Sequence, residues 1–278
     1  MIMKSLIQQT KRMFLAGTAV VWVSSPGVGK SFSVQHLCSW MRKTHPGLKL
    51  GLATFFMATQ SPIGVTGLPW KGERIIEWEG ETHKYTITDP AIPVWYMATD
   101  LETGEVRPAN LFDKVLLVIE EWGQGDIETK RACSDLLLFG KAGNYELPKG
   151  SYRIALSNSD PRDGVTKELD ININRAAWFM VTPDATGYVE DFANHPYVHE
   201  GRIWNVMGVT KAFAKRHPDI LFQKKPDKQG PFCSPRSLTA ADRYAQICEQ
   251  ELGKVPATDT DFIESIHAFI GVAAGEQY

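Results

Sequence analysis

Residues 24–31 read Ser-Ser-Pro-Gly-Val-Gly-Lys-Ser and follow a short β-branched and aromatic run at 19–23. This text suits a cradle for a nucleotide's phosphates. Gly27 and Gly29 let successive backbone N–H groups turn inward around an anion, Lys30 reaches the β and γ oxygens, and Ser31 offers its hydroxyl to Mg²⁺. Ser25, Pro26 and Val28 complete the wall of the loop. Downstream, Val34, Leu37, Cys38 and Met41 recur at helical spacing, so the loop opens a helix whose N-terminal partial positive charge faces the anion. The pattern G-x-x-x-x-G-K-[ST] has Ser24 where its first glycine belongs, so the match is incomplete at that one position. The order strand, loop, helix predicts ATP as ligand.

A second constellation lies at 114–121, KVLLVIEE. Hydrolysis of a triphosphate needs a metal beside the phosphates and a carboxylate that positions the attacking water. A buried strand ending in two acidic side chains supplies both: Glu120 acts on Mg²⁺ and Glu121 on the nucleophile. The alternative is a strand that ends in surface charge.

These residues must be positioned by a framework. Strand candidates occur at 19–23, 48–58, 114–119, 152–157 and 178–182, mostly as continuous apolar runs of the kind buried on both faces. Helical patterns at 31–44 and 127–139 give the βαβ rhythm of a parallel sheet covered by helices. The expected organisation is an α/β nucleotide-binding domain at 1–184 and a small helical lid at 185–278. Strands stop after Thr182-Pro183, and 238–252 and 262–273 read as helices. The intervening HPDILFQKKPDKQGPFCSPRS reads as a long loop, with Lys224, Lys225 and Lys228 on a solvated face.

An insertion at about 62–96 contains RIIEWEG and THKYTI, which pair as a hairpin across Gly80–Glu81. It is either a protruding loop that touches a substrate or partner through Trp70 and Trp78, or a connection whose aromatics pack locally.

The chain of 278 residues has a formal charge of −2 and a pI near 6.4, which gives no global attraction to nucleic acid or anionic membrane. Lys71, Arg74 and Lys84 are offset by Glu73, Glu77, Glu79 and Glu81, so nucleic acid is unsupported as a partner without being excluded. Cys38, Cys133, Cys233 and Cys248 lack metal or redox spacing and read as buried thiols of a reducing compartment. The N-terminal 17 residues read as an ordinary helix rather than a secretory signal. No stretch reaches the roughly 18 apolar residues of a membrane span, which predicts a soluble, cytoplasmic protein.

The segments SSPGVGKS, VLLVIEEW, RIALSN, NINRAAWF and SPRSL, in that order, resemble AAA+ ATPases of the MoxR-like branch over nearly the whole chain. The resemblance implies a P-loop core, with Asn158 as a sensor that helps orient the water. It also implies Arg175 as a finger reaching a neighbouring subunit's site, and Arg236 as a second sensor in the lid. The lesser alternatives are Asn158 as a strand-end turn residue and Arg175 as a cation favoured at a helix C-terminus. The family uses aspartate where this chain has Glu120, whose longer side chain carries the carboxylate outward. The implied assembly is a hexameric ring that remodels a protein client, often with a partner bearing a von Willebrand factor A-type domain. A nucleic-acid motor or loader, and a nucleotide-gated scaffold with little turnover, are the competing expectations.

Overall fold

A computed structural model describes residues 3–78, 80–182, 184–221 and 230–278, without some side chains of the hairpin at 69–90. Lys224, Lys225, Lys228 and Glu79 lie outside the described residues, as do the side chains of Trp70, Glu73, Arg74 and Trp78. The chain divides into two compact units. One comprises Gln9–Val23 and Val34–Met180, and the other Met1–Gln8, Ser24–Ser33 and Val181–Tyr278.

The first unit is built on a seven-stranded sheet. Helix α1 (Met3–Leu15) leads into β1 (Val20–Ser24), α2 (Lys30–Thr44) and β2 (Leu50–Phe56). There follow α3 (Pro62–Thr66), β3 (Pro69–Trp78), β4 (Glu81–Pro90), β5 (Met97–Asp100), β6 (Val106–Pro108) and β7 (Lys114–Glu120). Helix α4 (Ile127–Phe139) precedes the short β8 (Lys141–Ala142) and β9 (Tyr145–Glu146), then β10 (Tyr152–Asn158), α5 (Asp170–Arg175) and β11 (Ala177–Met180). The sheet order is β11-β1-β10-β7-β2-β5-β6. Strands β1 and β11, β10 and β7, and β2 and β7 pair in parallel, as their two-sided apolar text predicts. Val115 to Ile119 are all at most 1% exposed, and Val115, Leu117 and Ile119 share one core with Phe55, Trp95 and Trp122.

Three details depart from expectation. Strands β5 and β6 are antiparallel additions to one side of the sheet, with β6 at its edge. The run at 48–58 yields a strand only to Phe56, because Met57–Thr59 turns into 3-10 helix. The hairpin β3–β4 forms, but Trp78 pairs with Glu81, so Glu81 opens β4 and is not part of the turn.

The second unit gathers the C-terminal helices: α6 (Ala185–Gly187), α7 (Gly208–Arg216), α8 (Pro218–Leu221), α9 (Pro235–Leu252), α10 (Thr260–Ile270) and α11 (Val272–Gly275). Val189, Phe213, Leu238 and Ile266 lie in its core. Strands do not stop at residue 182: β12 (Tyr197–His199) and β13 (Arg202–Trp204) form a small antiparallel hairpin. The helix expected over 262–273 breaks at Gly271 (φ 82), where a Cβ would stand 2.8 Å from the Pro231 carbonyl oxygen. Three cysteines are buried as expected, whereas Cys248 is partly exposed on α9. Burial pushes the Cys38 thiol up to about 11 and the Cys133 and Cys233 thiols up to about 12, so these three stay protonated near neutrality. Among the described residues no helix is long and apolar enough to cross a membrane.

Candidate nucleotide site

The candidate phosphate loop leaves β1 at Ser24 and becomes helix at Lys30. Between them Gly27 (φ 79) and Gly29 (φ 92) both occupy the left-handed region, the conformation that turns consecutive amides to one side and that strains any residue with a Cβ. The Ser33 amide and hydroxyl both reach the Gly29 carbonyl, at 3.0 and 2.9 Å, closing the first turn of α2. Earlier amides of that turn have no intrahelical acceptor, which is the ordinary condition of a helix N-terminus and the basis of its anion affinity. Ser25 and Ser31 are exposed, and Pro26 to Lys30 are half-buried.

Lys30 is folded back on its own loop. Its Nζ donates to Ser24 Oγ at 2.8 Å and lies 3.3 Å from the Ser25 carbonyl oxygen and 3.5 Å from that of Ser24. The Ser24 hydroxyl in turn donates to the Ser25 carbonyl at 2.8 Å. The residue that breaks the glycine pattern is therefore the one that grips the lysine. Ser24 is 2% exposed and Lys30 half-buried, so the contact is partly shielded from water.

The start of α9 belongs to the same unit and meets the loop directly. Ser234 caps α9 in a reciprocal capping box with Ser237, followed by Pro235 in the first turn, the sequence signature of a rigid helix start. The Arg236 amide donates to the Gly27 carbonyl at 3.3 Å. A Cβ on Gly27 would approach Ser234 Oγ to 2.8 Å and its Cβ to 3.1 Å. Thus Arg236, singled out by its Ser-Pro-Arg context, has its backbone on the phosphate loop. Phe32, one residue beyond Ser31, meets Phe192 edge to face with ring centres 5.0 Å apart.

In the sheet unit the acidic residues stand at a strand end. Ala155 of β10 pairs with Ile119 of β7, so Glu120 and Asn158 leave the sheet at the same edge. Ligands of open α/β sheets bind beyond such carboxyl ends. Glu121 has φ 56, one of two non-glycine residues with positive φ among those described. Such a conformation is sparsely populated and persists where neighbours over-determine it. Here the chain passes at once into a 3-10 turn, Trp122–Gln124, with the Gln124 amide bonded to the Glu121 carbonyl at 2.9 Å. Arg175 closes α5 and is exposed.

The oxygen chemistry fits the expected ion. Mg²⁺ keeps several waters and takes one or two protein oxygens plus phosphate oxygens. The Glu120 carboxylate at the end of β7 is a hard oxygen donor, and so is the exposed Ser31 hydroxyl at the start of α2. Among the described residues no group of three or more His, Cys, Asp or Glu could hold a metal by itself.

Motif reading overlooked a buried set behind Glu121. Trp122 is fully buried and its Nε1 donates to Glu168 Oε2 at 2.6 Å. Lys130, also fully buried, lies 3.5 Å from the same oxygen. Burial lowers the Lys130 pKa, and the Glu168 carboxylate opposes that fall. A lysine four residues before Ser134 and seven before Leu137, on the buried face of α4, was the available signal.

No family model matches the chain, and no curated protein matches it. Solved structures with a general likeness include one described as an ATPase of Cytophaga hutchinsonii ATCC 33406, 12% identical, with a TM-score of 0.39 over 96% of this chain and 81% of that one. NtrX of Brucella abortus is 12% identical, with a TM-score of 0.37 over 97% of this chain and 63% of its own. NtrX in complex with ATP is also 12% identical, with a TM-score of 0.40 over all of this chain and 67% of its own. At that distance the functional assignment rests on the chain's own loop and strand ends.

Proposed function

We propose that the protein binds ATP through residues 24–31 and hydrolyses it, as a member of the AAA+ class resembling its MoxR-like branch. The observation that carries this reading is the phosphate loop itself. Two left-handed glycines alternate with Val28 ahead of a lysine that opens a 15-residue helix. In the proposed reaction the loop amides hold the phosphate oxygens and Lys30 exchanges its loop acceptors for the β/γ oxygens. Glu121 accepts the proton of the attacking water, Asn158 orients that water, and Arg236 contacts the nucleotide from the lid. The chemistry that bound Mg²⁺ supplies is neutralisation of phosphate charge, with Ser31 and Glu120 as its protein donors.

The reading extends to assembly. Arg175 acts in trans in a homo-oligomeric ring, which we propose is a hexamer, and nucleotide state drives remodelling of a protein client. A partner with a von Willebrand factor A-type domain fits the family resemblance. A trans-acting arginine accelerates phosphoryl transfer by about 10³-fold or more where such fingers operate.

Single-turnover hydrolysis combined with nucleotide binding tests the core of this reading. Glu121→Gln retains ATP and loses about 10²- to 10⁴-fold in turnover, the usual worth of a positioned general base. Lys30→Ala loses ATP binding by about 100-fold, as removal of a charge-assisted phosphate contact does. Undiminished turnover in Glu121→Gln sinks the assignment of the base. Turnover that rises with protein concentration, and is poisoned by mixing in Arg175→Ala, supports the ring; independence from both removes it. A nucleotide-gated scaffold is the second reading, favoured by the Ser24 grip on Lys30. Prompt phosphate release in the first turnover excludes it.

A further inference from the structure

Glu168 accepts from four groups on three sides. Oε2 takes the Trp122 Nε1–H at 2.6 Å and faces Lys130 Nζ at 3.5 Å; Oε1 takes the Leu169 amide at 3.0 Å and Asn172 Nδ2 at 2.9 Å. The Lys130 side chain is 1% exposed and that of Glu168 is 16%. Lys130 also donates toward the carbonyls of Thr166 and Lys167 at 3.2 and 3.4 Å. Its placement needs a reason, because it stands in the first turns of α4, where the helix dipole disfavours a cation. Burying an ion pair for stability alone is a poor bargain against apolar packing, whereas such pairs serve well to fix one arrangement.

What Glu168 fixes is specific. Trp122 directly follows the strained Glu121, so the indole anchors the turn that presents the carboxylate. Asn172 lies one turn before Arg175 on α5, and its carbonyl accepts the Trp178 Nε1–H of β11 at 3.1 Å. Behind them, Thr166 bonds the Gly123 carbonyl through its amide at 2.7 Å and the Gly125 carbonyl through its hydroxyl at 2.5 Å. The turn after β7 and the helix that ends in Arg175 are thus joined through one carboxylate.

We propose that Glu168, held in place by Lys130, is a positioning residue that makes the Glu121 turn and the Arg175 helix one mechanical body. A shift of Arg175 at a subunit seam is then transmitted to the carboxylate that holds the water. The transmission claim rests on the roles proposed for Glu121 and Arg175; the mechanical joining does not.

The test compares wild type with Glu168→Gln, which keeps shape and removes charge. Amide hydrogen exchange is read at 121–124 and 170–176, alongside ATP affinity and single-turnover rate. Both segments are expected to exchange faster together, and the rate is expected to fall about 10- to 100-fold while ATP affinity stays within about twofold, since the phosphate loop is untouched. A folded Glu168→Gln protein with unchanged exchange in either segment overturns the joining. Loosening of both segments with an unchanged rate, or a rate that falls only in proportion to ATP affinity, overturns the positioning role. If wild type shows no hydrolysis, the proposed function fails, and the exchange pattern still decides the joining. Trp122→Phe, which removes one N–H and keeps a ring, carries the same comparison if Glu168→Gln does not fold.

Discussion

The phosphate loop and the Glu121 turn are both held in left-handed backbone, yet by opposite means. In the loop the unusual conformation falls on Gly27 and Gly29, residues that adopt it without penalty, and the shape follows from eight consecutive positions. In the turn it falls on a glutamate, and side chains from Trp122, Lys130 and Glu168 brace the surroundings. A cradle for a passive anion takes its shape from backbone amides, with Lys30 adding charge. Under the proposed function the Glu121 carboxylate must meet a water at one place and needs a braced support, because catalytic geometry tolerates little misplacement. Substitutions in the turn's support should therefore cost folding stability, and substitutions of the loop glycines should cost binding.

The largest contrast is expected from Lys130→Met. It leaves the Glu168 carboxylate without its cation in a buried site, a change worth about 3–5 kcal/mol in comparable pairs. Denaturant unfolding should show a lower midpoint at unchanged slope. A loss below about 1 kcal/mol would mean that the pair is solvated and braces nothing. On the loop side, adding ATP is expected to stabilise the protein by about 2.7 kcal/mol at 100 times its Kd. Amide exchange should slow at 27–31 and change little at 33 and 124, whose amides are already bonded to the Gly29 and Glu121 carbonyls.

Gly27→Ala is expected to rank next, and it sharpens the contrast within the loop. The left-handed conformation costs an alanine about 1–2 kcal/mol. At Gly27 the new methyl also lies 2.8 Å from Ser234 Oγ, so the α9 start must give way; at Gly29 nothing lies within 4 Å. ATP affinity should fall by about 10-fold or more in Gly27→Ala, and less in Gly29→Ala. Titration with a fluorescent ATP analogue measures both. Equal losses would show that the packing against Ser234 contributes nothing to the loop.

The same contrast explains what was legible in the sequence. The loop, and β7 as a strand ending in acid, are contiguous text whose physics is local: positive φ needs glycine, and a two-faced buried strand needs an unbroken apolar run. The Glu168 hub joins Trp122 and Lys130 to residues about forty positions on, and no local pattern announces such a pairing. Strands β12 and β13 escaped notice because each is three residues long and sets only one buried residue, Tyr197 or Trp204, against an exposed apolar one, Val198 at 70% or Ile203 at 67%, which is too short a run to show a period. The break between α10 and α11 is set by a tertiary approach of Pro231 to Gly271, which helical periodicity does not register.

The smallest expected effect concerns Ser24, the position where the loop departs from its own pattern. The Lys30 ammonium has three protons to donate, and its loop acceptors are Ser24 Oγ and the carbonyls of Ser24 and Ser25. A triphosphate must draw the ammonium off the hydroxyl, whereas the carbonyl acceptors persist in any variant. Ser24→Ala deletes the hydroxyl alone and leaves backbone and burial in place. One neutral acceptor to a charged donor contributes on the order of 1 kcal/mol net, so ATP affinity should rise by about three- to tenfold, with turnover at saturation unchanged. Isothermal titration against ATP reads the first and steady-state phosphate release the second. A fall in affinity would mean that the hydroxyl aims Lys30 at the phosphates rather than holding it back, and would turn Ser24 from a competitor into part of the cradle.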